Sequence, residues 1–147
     1  ILRAMNSSPP LQALRVFLVE DTIPIRRRMA ARFGAIDGVE IVGEAEESDA
    51  ALAGIGATRT DVVVVDFRLT GGTGMELLRS ISHSASPVIT IVLTNHSSAG
   101  FRQACLAAGA RYFFDKTSEF DLACNTIKRI AHERSARGLN YTGEHHV

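Results

Sequence analysis

No run of apolar residues in this 147-residue chain is long enough to cross a bilayer, which excludes a membrane-spanning helix. Cysteine is scarce: Cys105 and Cys124 are the only two. Both fall in helical patterns without metal-ligand spacing, so a redox or metal role is set aside and they read as small hydrophobes in a reducing cytoplasm. Net charge is lacking too. The 16 Lys and Arg balance 16 Asp and Glu, which removes the electrostatic reason to expect a nucleic-acid partner. The first residues carry no basic-then-apolar pattern, and no repeat or low-complexity tract is present. What remains, 46% hydrophobic and 22% charged, is expected to be one cytoplasmic domain large enough to bury a proper core.

Strand and helix patterns alternate along it. Residues 14–21 (LRVFLVED) form an apolar run closed by two acids, and Thr22 can cap a helix through Ile25, Met29, Ala30 and Phe33. Residues 39–45 (VEIVGEA) read as a second strand, followed by a helix that Ser48 can cap and that turns Ala51, Leu52 and Ile55 inward. The valines 62–65 read as a strand buried on both faces and end at Asp66. A glycine-containing loop (GGTG, 71–74) and a helix over about 75–83 follow. Residues 88–94 (VITIVLT) make a fourth strand. Ser97 or Ser98 then caps a helix with Phe101, Cys105, Leu106 and Ala108 that Gly109 ends. Residues 111–116 (RYFFDK) make a short fifth strand, and Ser118 opens a last helix through Leu122, Ile127 and Ile130. Five such alternations predict an α/β fold, a five-stranded parallel sheet with helices on both faces. Residues 1–13 are expected to be a disordered lead-in, 14–137 the domain and 138–147 a flexible tail.

Parallel strands point their carboxyl ends to one edge, where open α/β sheets bind ligands. That edge receives Glu20 and Asp21 from strand one, Asp66 from strand three, Thr94 from strand four and Lys116 from strand five. Three clustered carboxylates repel one another unless a cation joins them. Hard oxygen donors suit Mg²⁺ (or Mn²⁺), which takes one or two carboxylates plus phosphate oxygens. Lys116 and Thr94 add a positive charge and a hydrogen-bond donor for an anion. The set suits phosphoryl transfer to a carboxylate, with Asp66 as nucleophile.

From about residue 15 to 131 the chain resembles the receiver domain of two-component response regulators, with its (βα)₅ flavodoxin-like fold. LVED resembles the acidic pair that holds Mg²⁺. VVVVDFRLTGGTGMELL resembles the phosphoacceptor segment, with Asp66 as acceptor. IVLT places Thr94 as the switch hydroxyl, AGARYFFDK places Lys116 as the phosphate-contacting lysine, and Phe113 takes the switch-aromatic position. The resemblance implies a phosphoryl group taken from the phosphohistidine of a sensor histidine kinase or a histidine phosphotransfer protein. Thr94 would move inward, Phe113 would turn into the vacated space, and the surface of helix four, strand five and helix five (about 97–137) would change its partners, a second copy among them. A swing from about 1:99 to 99:1 between two states needs roughly 5.5 kcal/mol of differential stabilisation. Arg68 would offer its backbone carbonyl to the metal, and Arg68 and His96 flank the path of attacking water and are expected to tune phosphoryl lifetime.

Three positions depart from the family's commonest pattern: Thr117 stands where a proline usually follows the lysine, Asn95 where a small residue is more usual, and Arg68, two after the acceptor, carries a long side chain that would lie over the site. Other readings fare worse. GGTG lacks a nucleotide-binding fingerprint and follows the third strand, not the first. A phosphatase with its Asp after an apolar strand would want a second acid two residues on, where Arg68 stands. A receiver-like binding module that is never phosphorylated is the rival from another class. Arg26, Arg27, Arg28 and Arg32 read as a solvated helix face, which in receivers faces the kinase. DNA binding by this chain is not expected, because no helix-turn-helix follows. A stand-alone receiver and one cut from a longer regulator both fit, the short segment after Arg137 favouring the first.

Overall fold

The computed structural model describes residues 13–66, 73–84, 86–96 and 98–146. Strands β1 (Leu14–Val19), β2 (Val39–Ala45), β3 (Val62–Val65), β4 (Ile89–Thr94) and β5 (Tyr112–Asp115) alternate with helices α1 (Ile23–Gly34), α2 (Ser48–Ala57), α3 (Thr73–Ser82), α4 (Ala99–Ala107) and α5 (Phe120–His146). The strands form one sheet in the order β2-β1-β3-β4-β5, and every neighbouring pair is parallel. The chain runs outward from β1 to β2, then returns to β3 on the other side of β1. The order reverses between β1 and β3, so their carboxyl ends flank the crevice such folds use for ligands.

Alternation along the strands divides the core. Val16, Leu18, Val62, Val64, Ile91 and Leu93 face α1 and α5, where Met29, Phe33, Phe120 and Ile127 complete one cluster. Phe17, Val19, Val63, Val65, Val92 and Phe113 face the other helices, against Ala51, Leu77, Leu78 and Cys105. Burial on both faces is why the strands read as continuous apolar runs and not as alternating ones.

Phe17 shows how tightly the second cluster is fitted. A Cβ added at Gly43 would lie 2.5 Å from its ring, and one at Gly54 2.6 Å. The ring therefore fills the space of two missing side chains and has no room to retreat from either. A mid-helix Gly→Ala change normally stabilises by up to about 1 kcal/mol. Here overpacking reverses the sign: Gly54→Ala is expected to destabilise by roughly 1–3 kcal/mol. A urea midpoint that falls with unchanged slope would bear this out, and a midpoint that rises would refute it.

The element ends differ from the sequence pattern in small, explicable ways. Ser98 caps α4 as expected, accepting from the Phe101 amide, and Gly109 leaves that helix at φ +118°. Glu47, not Ser48, is the N-cap of α2. The last helix starts at Phe120, not Ser118, because Asp115 captures the Thr117 and Ser118 amides in a turn before it. That helix continues to His146, through the stretch expected to fray. No proline interrupts it, and an isolated glycine only weakens a helix. Residues 1–12 lie outside the described residues. Among the described residues no helix is long and apolar enough to cross a membrane.

Both cysteines are unpaired thiols, Cys105 buried and Cys124 half-buried. Burial pushes the Cys105 thiol from an ordinary 9.0 up to about 11. Its folded-state value is raised, so its stabilising contribution is complete below pH 9.0 and is lost as pH rises through about 11. Iodoacetamide at pH 8 is expected to leave Cys105 unmodified in the folded protein and to alkylate it in urea. Rapid labelling of the native state would contradict the packing described.

Candidate functional site

The site is assembled by strand register. The Asp66 amide donates to Val19 O at 3.0 Å, setting the end of β3 beside the end of β1. The Lys116 amide donates to Thr94 O at 2.8 Å, tying the end of β5 to the end of β4. The Glu20 amide donates to Ala45 O at 3.0 Å on the far side. Asp66 thus stands one step beyond the fully buried β3, Glu20 and Lys116 one step beyond β1 and β5, and Thr94 closes β4, so the strand ends fix the backbone of each at the same edge.

Lys116 is the centre of the arrangement. Its Nζ donates to Glu20 Oε1 at 2.9 Å and also to Asp66 Oδ2. The Lys116 and Asp66 side chains are each only 10% exposed, and Glu20 is 1% exposed. The other Glu20 oxygen, Oε2, accepts from the Thr22 amide at 2.9 Å, so both of its oxygens are engaged. Burial is the main influence on Glu20 and raises its pKa above the ordinary 4.5; the neighbouring Asp66 adds to this, while Lys116 and the Thr22 amide pull it back. Burial works against the Lys116 charge, yet its bonds to Asp66 and Glu20 prevail and its pKa lies above the ordinary 10.5. The cation that joins the acids in this state is therefore the lysine ammonium.

Asp21 lies at the exposed rim, its Oδ1 accepting from the Thr22 hydroxyl at 3.3 Å. Thr94 is fully buried and its hydroxyl oxygen accepts from the His96 amide at 3.2 Å. His96 itself is exposed. Phe113 is 3% exposed, edge-on to Phe101 with ring centroids 5.9 Å apart. Arg102 lies 5.7 Å over the same ring and donates to Phe113 O at 3.2 Å. Arg68 falls outside the described residues.

Among the described residues no three acidic, histidine or cysteine side chains gather into a ready-made cation site. Mg²⁺ needs no such cluster, because it takes one or two carboxylates and completes its shell with water and phosphate oxygens. Exposed Asp21 and part-buried Asp66 are the carboxylates suited to that role. Buried Glu20, with both oxygens engaged, is suited to holding Lys116 in place.

Sequence patterns missed Arg26. Its spacing reads as part of a solvated arginine face, but its Nη1 donates to Glu20 O at 2.8 Å, and it pairs with Glu44 and Glu46 at 3.0 and 3.2 Å. It pins the turn that carries the acidic pair. The signal was available in the acids that close β2, which place opposite charge across from the first turn of α1. Arg28 and Arg32 differ again, both lying 4.9 Å over the Phe120 ring. Only Arg27 of the first three matches the solvated reading simply, being exposed.

A parallel five-stranded α/β sheet with a buried Lys–Asp–Glu cluster at its carboxyl edge defines a narrow class of proteins, and comparison with known families agrees. Residues 16–128 match the model of the response regulator receiver domain, and the chain belongs to that family. It is 32% identical over 123 residues to the DNA-binding transcriptional activator DevR/DosR of Mycobacterium tuberculosis, covering 83% of this chain and 56% of that protein. It is 31% identical over 117 residues to the response regulator UvrY of Escherichia coli O6:H1, covering 80% of this chain and 54% of that one. The chain thus spans about half the length of the curated relatives it matches. Among solved structures, a LuxR-family two-component response regulator from Aurantimonas sp. SI85-9A1 superposes with a TM-score of 0.73 at 27% identity, covering 82% of this chain and 86% of that one.

Proposed function

We propose that this receiver takes a phosphoryl group onto Asp66 from the phosphohistidine of a sensor kinase or a histidine phosphotransfer protein. The observation that carries the reading is the pairing of Lys116 with Asp66 in a nearly dry crevice, beside the buried Thr94 hydroxyl and the backing carboxylate Glu20. An Asp66 carboxylate oxygen attacks phosphorus. The new P–O bond forms as the P–N bond breaks, and the imidazole leaves and takes up a proton. Lys116 offsets the charge that the three equatorial oxygens carry in transfer. Asp21 and Asp66 would hold Mg²⁺ (or Mn²⁺), with Glu20 behind Lys116. When bound, such a metal would supply further charge neutralisation to the transferring group.

The acyl phosphate adds negative charge that only a rearranged site satisfies well. Thr94 moves to donate to it, and Phe113 turns into the space released, breaking its contacts with Phe101 and Arg102. The face formed by α4, β5 and α5 changes in consequence, and it is there that a second copy or an output partner docks. His96, exposed two residues beyond Thr94, and Arg68 tune how fast water removes the group.

The test is intact-protein mass after incubation with acetyl phosphate or phosphoramidate and Mg²⁺. One added phosphoryl group, lost when a chelator is present, is expected. No adduct together with no Mg²⁺ binding would leave a phosphorylation-independent binding module in its place.

A further inference from the structure

Thr94 and Lys116 are each followed by a residue whose side chain meets the other: Thr117 Oγ1 donates to Asn95 Oδ1 at 3.0 Å. These two side chains bridge the β4–α4 and β5–α5 loops, 22 residues apart in sequence. Both residues are exposed, and a solvent-facing hydrogen bond ordinarily contributes little because water competes for each partner and ordering costs entropy. The surrounding geometry removes much of that ordering cost. Asp115 Oδ1 accepts from both the Thr117 and Ser118 amides at 2.9 Å, and Glu119 Oε1 returns the bond by accepting from the Asp115 amide at 2.8 Å. The loop behind Lys116 is therefore held by its own side chains before it reaches Asn95. On the other side the His96 amide is fixed on the Thr94 hydroxyl. With the Lys116 amide bonded to Thr94 O, the bridge closes a ring that runs through the backbones of the two residues whose side chains carry the ammonium and the hydroxyl.

We propose that Asn95 and Thr117 are positioning residues, whose side-chain hydrogen bond clamps the Lys116 loop to the Thr94 loop and sets the spacing at which ammonium and hydroxyl meet a phosphoryl group on Asp66. The inference rests on the phosphoacceptor reading. Neither residue needs to touch the phosphoryl group. A clamp one residue from each contact group acts because a displacement of about an ångström at a reacting centre is costly. The bond also couples the two loops, so that Thr94 does not shift without a matching response at Lys116.

The experiment compares wild type with Asn95→Ala, Thr117→Val, the double variant and Thr117→Ser. The readouts are the phosphorylation rate with acetyl phosphate and Mg²⁺, the lifetime of the adduct, and urea stability. Each single loss is expected to slow phosphorylation about two- to tenfold, the scale of one hydrogen bond. The double variant should be no slower than the worse single one, Thr117→Ser should restore the wild-type rate, and stability should stay nearly constant. Rates that multiply in the double variant, that do not change in the singles, or that track loss of stability would overturn the clamp while leaving the phosphoacceptor reading intact. A wild type that takes no phosphoryl group from either acetyl phosphate or phosphoramidate would overturn both, and so separates the two failures.

Discussion

Asp66→Asn is expected to abolish phosphoryl uptake while leaving the protein folded. Asparagine matches aspartate in shape, so the Asp66 backbone bond to Val19 and the packing of β3 are kept. What is lost is the anionic oxygen. An amide oxygen carries no full negative charge to attack phosphorus, and an amide nitrogen is a poor nucleophile, so the covalent step has no acceptor. The change also removes one carboxylate from a crevice where Glu20 and Asp66 compete for a single ammonium. Lys116 then serves Glu20 alone, and the variant is expected to be at least as stable as wild type. Intact mass and urea unfolding check the two halves. Uptake persisting at the wild-type rate would mean that another residue is the acceptor.

Lys116→Met carries the second large effect, and here stability and function fall together. Methionine keeps most of the volume of the stem but not the charge. Glu20, 1% exposed, would be left buried without its cation. Removing one partner of a buried pair costs far more than the pair's net worth, on the order of 3 kcal/mol, because the remaining charge has lost both water and counter-charge. Phosphorylation should slow by roughly a hundredfold or more, as the charge on the transferring group goes unopposed. The companion variant Glu20→Gln/Lys116→Met separates the effects. Removing both charges is expected to recover much of the stability and none of the rate. Recovery of both would show that Lys116 acts only by keeping Glu20 in place.

The sequence exposes these residues because the sheet does the gathering. The valines 62–65 leave no face for a charge, so Asp66 has to lie at the strand's end. The same reasoning holds for Glu20 after β1, Thr94 at the end of β4 and Lys116 after β5, and parallel strands bring all of these ends to one edge. Side-chain partnerships are a different matter. Nothing in the arginine spacing distinguishes Arg26, which reaches Glu20 O, from Arg27, which stays in solvent; that depends on which way α1 is turned by Met29 and Phe33. Nor does the sequence show Thr117 bonding Asn95, since the contact depends on the register between β4 and β5 and on the turn that Asp115 makes. The sequence pattern ends helix α5 early because Gly138 and the polar residues after it weaken the apolar spacing, although neither forbids the helical backbone.

Trapping the acyl phosphate tests the account most directly. The protein is incubated with Mg²⁺ and phosphoramidate, reduced with borohydride, which converts an aspartyl phosphate to homoserine, and digested for peptide mapping. The account predicts homoserine at position 66 and nowhere else, absent when the donor is omitted. Reduction at a different acid, or a stable adduct on a histidine that borohydride leaves unchanged, would contradict it.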